Sequence, residues 1–112
     1  MPIARAERFK VDFPVSLAWQ DGQGITRRLI GRCTDLSTAG AKVETKDQLA
    51  ARTMVLMTSE AFGRMGTASV RYCRRIGMKN QVGLHFTAPI QLSDPVRKKI
   101  LEQVLQKPAG AG

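Results

Sequence analysis

A strict alternation of apolar and polar or small side chains over residues 11–20 is the feature that most constrains this fold. The apolar positions in the stretch VDFPVSLAWQ are Val11, Phe13, Val15, Leu17 and Trp19. A period of two predicts a β-strand with one face in a core, and Trp19 is expected at the end of that face. Pro14 has no N–H for a ladder hydrogen bond, so we expect it at a sheet edge or a bulge.

Five further strands are predicted along the chain, separated by turn residues. They lie near residues 27–34, 41–45, 53–58, 68–73 and 82–86. In the fifth, Ala68, Val70 and Tyr72 share one face in the predicted alternation. Gly63 and Gly66 indicate a linker before that strand, and Lys79 with Asn80 indicates the turn after it.

The period changes near the end of the sequence. A single helical stripe holds the apolar residues Val96, Ile100, Leu101, Val104 and Leu105. A capping residue and a first-turn proline precede it in the stretch 93–95. We therefore expect a mainly β domain, a small six-stranded antiparallel β-barrel with a C-terminal α-helix. Residues 1–10 are expected to form a flexible arginine-bearing arm, residues 8–107 the barrel with its helix, and residues 108–112 a tail.

Composition narrows the possible partners and sites. The 18 Lys and Arg residues against 9 Asp and Glu give a formal charge of +9, which favours a nucleotide, a nucleic acid or an acidic protein face. Cys33 and Cys73 stand forty positions apart with no Cys/His cluster, so we expect reduced structural thiols and no metal site. The sequence has no apolar run long enough for a membrane span, and a cytoplasmic protein is expected.

The stretch TDLSTAGAKVE, residues 34–44, places Asp35, Ser37 and Gly40 between two predicted strands. One interpretation is hairpin punctuation, because Asp and Ser bond to nearby backbone and Gly allows unusual backbone angles. The other is that these groups lie at the rim of the barrel and hold a ligand. The stretch by itself leaves both interpretations open.

Three segments together resemble the PilZ domain family. They are RFKVDFPVSLAW at residues 8–19, GRCTDLSTAGAKVE with its DxSxxG motif at residues 31–44, and VGLHF at residues 82–86. The resemblance implies the six-stranded barrel with a C-terminal helix and, as in many members, binding of the bacterial second messenger cyclic di-GMP. In the family's RxxxR motif Arg8 matches the second arginine, Ala4 stands in the first position, and Arg5 lies one place later.

The resemblance implies a ligand site made of Arg5, Arg8, Asp35, Ser37 and Gly40. A guanidinium can meet the O6 and N7 acceptors of guanine with two hydrogen bonds, and arginine also stacks on purine faces. The Asp35 carboxylate can accept from guanine N–H groups or from an arginine, and Ser37 can donate to a phosphate oxygen. Gly40 permits a left-handed or closely approaching backbone.

These features predict a non-catalytic cyclic di-GMP receptor or adaptor that signals by ligand-induced ordering of its N-terminal arm. No nucleophile with its base, paired carboxylates or phosphate loop occurs, so neither an enzyme nor a cofactor is expected. His85 is expected to point outward or to lie at the rim. One alternative is a PilZ-like adaptor that binds an unidentified downstream protein without nucleotide. Another is a basic nucleic-acid-binding barrel, which the 5% aromatic content disfavours.

Overall fold

A computed structural model describes residues 8–60 and 62–88 as a barrel of six antiparallel strands. The strands are β1 Arg8–Gln20, β2 Thr26–Ser37, β3 Gly40–Thr45, β4 Met54–Ser59, β5 Gly63–Ile76 and β6 Lys79–Phe86. The prediction of a mainly β, six-stranded antiparallel barrel is confirmed. The predicted C-terminal helix and the tail at residues 108–112 lie outside the described residues.

The barrel closes in the order β1-β2-β3-β6-β5-β4. Closure depends on a short ladder between β1 and β4, in which Ser16, Leu17 and Ala18 face Thr58, Met57 and Leu56. The longest described pairings are the hairpins β1–β2 and β5–β6. Both hairpins extend beyond the strands that flank them, which leaves parts of β1, β2 and β5 paired on one side only among the residues that the structure describes.

The core forms where the inward residues of all six strands meet. Along β1 the predicted alternation holds, because Val11, Phe13, Val15 and Leu17 are all buried. Trp19 is partly buried and packs against this cluster, as expected. Each fully buried large apolar side chain stabilises the fold by roughly 1.5 to 3 kcal/mol relative to exposure.

Several strand boundaries differ from the sequence-based prediction. β1 begins at Arg8, so residues 8–10 of the expected arm belong to the barrel. Gly63 and Gly66 lie inside β5 rather than in a linker, next to a register shift in the β4–β5 ladder. Glycine tolerates the positive φ of 74° and 144° found at these two positions.

The turn between β5 and β6 was predicted two residues too late. Ile76 pairs with Lys79, so Gly77 and Met78 form the turn, and Gly77 has φ +63°. A two-residue hairpin of this kind favours glycine because its first central residue needs positive φ. Asn80 instead lies buried in β6, where its amide donates to the Lys46 carbonyl oxygen at 3.0 Å.

Pro14 and the cysteines occupy the environments that the sequence predicts. Pro14 lies just after a bulge between Lys10 and Phe13 and before the β1–β4 pairing begins at Ser16. Both cysteines are free thiols, and burial raises the pKa of Cys33 to about 12, which keeps that thiol protonated.

The part of the chain that the structure describes contains no helix long and apolar enough to cross a lipid bilayer.

Candidate functional site

A cleft of about 440 Å³ opens on the outer side of the barrel, where β1, β2, β3, β5 and β6 contribute side chains. Its lining residues are Arg8, Asp35, Ser37, Ala39, Gly40, Ala41, Lys42, Arg71, Tyr72, Gly83, Leu84 and His85. Four of the five predicted site residues, Arg8, Asp35, Ser37 and Gly40, therefore share one cleft. Arg5, the fifth, lies outside the described residues.

A bulge in β2 turns the DxSxxG side chains toward this cleft. Cys33 pairs with Val43 and Leu36 pairs with Ala41, and all four are core residues. Between these two pairs β2 advances by three residues and β3 by two, so Thr34 is the extra residue of the bulge. After it the alternation changes phase, so that Asp35 and Ser37 lie on the cleft face although both are more than nine-tenths buried.

The same widening continues into β1. Phe9 pairs with Leu36 and Phe13 pairs with Cys33, so four steps of β1 face three steps of β2. The row Phe9–Leu36–Ala41 and the row Phe13–Cys33–Val43 are shared by all three strands. Between these rows β3 advances by two residues, β2 by three and β1 by four. This register places Arg8 opposite Ser37 and Lys10 opposite Asp35 at the end of the ladder.

Asp35 is the buried acid of the cleft. It is 6% exposed, and its Oδ2 lies 3.7 Å from Nζ of Lys10 on β1. On its other side it pairs across the ladder with Lys42 of β3, which also lines the cleft. The Lys10 ammonium partly compensates its negative charge, and the carboxylate oxygens are acceptors for donors that enter the cleft.

Ser37 organises the turn between β2 and β3. Its Oγ accepts hydrogen bonds from the backbone N–H groups of Ala39 and Gly40, each at 3.1 Å, and donates to the Gly40 carbonyl oxygen at 3.4 Å. Such hydroxyl bonds to a turn's own backbone are typical of Ser at this position. The interpretation of the motif as hairpin punctuation is therefore correct for Ser37, whose side chain also lines the cleft.

Gly40 is required by close packing between strands. It pairs with His85, and a Cβ at this position would lie 2.2 Å from the Leu84 carbonyl oxygen. Gly40 is not among the glycines with positive φ. Of the two expected reasons for glycine here, close approach is right and a left-handed backbone is wrong.

The sequence did not predict the far wall of the cleft, formed by Arg71, Tyr72 and Gly83. Arg71 is the extra residue of a bulge in β5, because Val70 pairs with Leu84 and Tyr72 with the adjacent Gly83. The bulge moves Tyr72 off the core face, where the alternation had placed it, and Cys73 packs against the core instead. A two-residue alternation cannot reveal such an insertion.

The Tyr72 ring lies directly on Gly83, since a Cβ on that glycine would come within 2.1 Å of the ring. The Arg74 guanidinium lies 5.6 Å from the ring centroid. His85 is exposed and lines the cleft opposite Gly40, which confirms its expected outward or rim position. The cleft thus combines one buried acid with several cations and an aromatic ring.

Comparison with known proteins gives a consistent family match. A family model described as the PilZ domain matches residues 2–106. MrkH of K. pneumonia has a similar fold, with a TM-score of 0.61 and 16% identity over 89% of this chain and 48% of that one. This chain therefore spans about half the length of MrkH. No curated protein matches it.

Two structures of YcgR from Escherichia coli are also similar. Its PilZ domain with c-di-GMP gives a TM-score of 0.53 at 14% identity, covering 92% of this chain and 89% of that one. A YcgR complex with c-di-GMP gives 0.52 at 15% identity, covering 92% and 45%. At these identities the likeness shows a shared fold.

Proposed function

The chain belongs to the PilZ domain family, and from that premise we propose that it is a non-catalytic receptor for cyclic di-GMP. The observation that carries the proposal is that Arg8, Asp35, Ser37 and Gly40 surround a single cleft. The similar PilZ domain of YcgR was solved with c-di-GMP, which supports the same ligand class here.

The chemistry of the cleft suits this ligand. Cyclic di-GMP carries two phosphates and two guanine bases, so it offers anionic oxygens, base-edge acceptors and flat faces. The exposed Arg8 can form a two-pronged contact with guanine O6 and N7 or meet a phosphate. Asp35 can accept from the guanine N–H groups, and the Ser37 hydroxyl can exchange its 3.4 Å bond to Gly40 for one to a phosphate oxygen.

We extend the proposal to signalling through the arm that precedes β1. Residues 1–7 include Arg5, whose charge lies close to that of Arg8 in the sequence. Ligand phosphates would relieve the repulsion between these cations and draw the arm onto the cleft, which would create a new surface for a downstream protein. Because Arg8 already belongs to β1, the hinge of this movement would lie before it.

A titration tests the proposal directly. We expect cyclic di-GMP to bind and GMP to bind far more weakly, because GMP offers only one base and one phosphate. Isothermal calorimetry on wild type and Asp35→Ala measures the effect, and the variant should bind cyclic di-GMP less tightly. The same variant should bind duplex DNA as well as wild type or better, because it loses a negative charge.

Salt dependence provides the control for this titration. DNA binding by a +9 protein should fall by orders of magnitude as salt rises, whereas a ligand with two phosphates releases few counterions. Equal salt slopes for both ligands, together with equal responses to Asp35→Ala, would exclude a selective nucleotide site and favour the basic nucleic-acid-binding barrel.

The arginine spacing is tested by two substitutions in the arm. If Arg5 substitutes for the family's first arginine, Arg5→Ala should lower the affinity for cyclic di-GMP. Ala4→Arg should raise it or change the stoichiometry, since it restores RxxxR with Arg8. Both affinities are measured by calorimetry. If neither substitution changes the binding, the arm is not part of the site.

A second candidate function is an adaptor of the same fold that binds a protein partner without nucleotide. The specific observation in its favour is Ala4, which replaces the first arginine of the family motif. No binding heat and no NMR shifts with cyclic di-GMP at high concentration would select this candidate.

A further inference from the structure

Among the residues that the structure describes, the C-terminal half of β5 has a free edge. β4 pairs with β5 as far as Ser69, and Val70 still bonds to the backbone of Arg52 and Thr53. Beyond that point, residues 71–76 have a backbone partner on one side only within the described part of the chain, namely β6. Alternate N–H and C=O groups along this stretch therefore face away from the sheet.

This edge is strongly cationic. Residues 63–88 contain five Arg and Lys side chains and no Asp or Glu. Four of them, Arg71, Arg74, Arg75 and Lys79, belong to the outer part of the β5–β6 hairpin and are exposed. Arg74 donates to Gln81 Oε1, and Lys79 lies 3.9 Å from Glu44 of β3, on the side away from the free edge. Arg71 and Arg75 have no ion-pair partner among the described residues. The turn adds exposed apolar surface, with Ile76 52% and Met78 87% exposed. Backbone groups, positive charge and apolar contacts thus occur together.

The geometry points to a docking site for an extended, acidic segment of a partner protein, which would add a strand to the free edge of β5. Strand addition uses the unpaired backbone groups for affinity and the flanking side chains for specificity. Glutamate or aspartate at alternate positions of the added strand would share one face of the sheet and meet Arg75, whereas Arg74 lies on the opposite face. This inference goes beyond the proposed nucleotide site and does not depend on it.

Other occupants fit this edge less well. The major groove of DNA can admit a two-stranded β-ribbon, which must be free on both edges. The β5–β6 hairpin is not, because β3 pairs with β6 as far as Asn80. A second copy of this chain would bring like charges together along the edge. β2 also has a one-sided stretch at residues 26–31, but there Asp21 adds a negative charge beside Arg27, with Nε and Oδ2 3.0 Å apart, which would oppose an acidic segment.

The test uses a short synthetic peptide that alternates glutamate with threonine or valine and is blocked at both ends. We expect it to bind the full chain and to shift the backbone amide signals of residues 71–76 in NMR. Methylation of alternate peptide nitrogens should weaken binding at least about tenfold, because it removes backbone donors and leaves the charge unchanged. Arg75→Glu should also weaken binding about tenfold.

Arg64→Glu is the matched control, because Arg64 lies on the same strand and is exposed, but β4 covers its edge. This variant should retain the wild-type affinity, and circular dichroism should show that both variants stay folded. Equal binding of the methylated peptide, equal effects of the two substitutions, or shifts centred on residues 26–31 would overturn the proposal. So would perturbation of residues 71–76 by duplex DNA or anionic vesicles but not by the peptide.

Discussion

Replacement of Arg8 by alanine should weaken cyclic di-GMP binding by roughly ten- to a hundredfold, because a lost two-pronged guanine contact costs about 1 to 3 kcal/mol. Arg8 is exposed at the first position of β1 and lines the cleft. Because this side chain is exposed, the thermal stability of the free protein should remain nearly unchanged. Calorimetry and a melting curve measure the two quantities.

Arg28→Ala provides a control of equal charge. Arg28 is exposed on β2 and does not line the cleft. The two variants lower the net charge equally, so a specific contact predicts a loss only for Arg8→Ala. If both variants lose affinity to the same extent, Arg8 acts only through the general positive field. If Arg8→Ala unfolds the domain, its role is structural.

Gly40→Ala should destabilise the barrel by about 1 to 3 kcal/mol, the usual cost of extra atoms in a well-packed site. The added Cβ would lie 2.2 Å from the Leu84 carbonyl oxygen, and a backbone atom within a ladder cannot move aside as a flexible side chain can. β3 and β6 would have to separate beside the cleft, so ligand affinity should also fall. Chemical denaturation measures the change in the free energy of unfolding.

Gly22→Ala is the matched control for this substitution. Gly22 lies in the turn between β1 and β2, where a Cβ would meet nothing within 4 Å. Gly22 is also not among the glycines with positive φ, so alanine should leave stability unchanged or raise it slightly. A stability loss of similar size in both variants would show that close packing at Gly40 does not account for the effect, because the entropy change of the unfolded chain alone favours alanine.

The sequence predicts the strands well where one face is regularly buried. Along β1 the pattern from Val11 to Leu17 matches the core, because regular alternation needs no information from neighbouring strands. The family resemblance also names four residues, Arg8, Asp35, Ser37 and Gly40, that line one cleft. Their shared location depends on the pairing of β1 with β2, which the family resemblance implies.

The remainder of the cleft depends on bulges, which have no simple sequence signature. The alternation predicts that Tyr72 shares a face with Ala68 and Val70. The extra residue Arg71 instead places it at the cleft, on Gly83. Thr34 similarly changes the phase of β2, which is why Leu36 enters the core between two cleft residues. Such insertions are defined by the pairing partner, so a single strand read alone does not reveal them.

Arg71 and Tyr72 belong both to the cleft and to the free edge of β5. A ligand that contacts either residue would therefore lie beside the strand that we propose for partner docking. The peptide titration repeated with saturating cyclic di-GMP would measure whether the two sites influence each other, and thermodynamic linkage requires any such influence to be reciprocal.

The unequal numbers of residues by which β1, β2 and β3 advance contribute to the width of the cleft. Between the two shared rows β1 advances by four residues, β2 by three and β3 by two. Each strand in this series is therefore longer than the next by one residue, up to about 3.3 Å. The strands diverge at this point of the sheet, and the number of residues in each strand sets how far they diverge. Side-chain substitutions at Arg8 or Asp35 therefore change the groups that face a ligand, whereas insertion or deletion of a residue near Thr34 would change the spacing of the strands themselves.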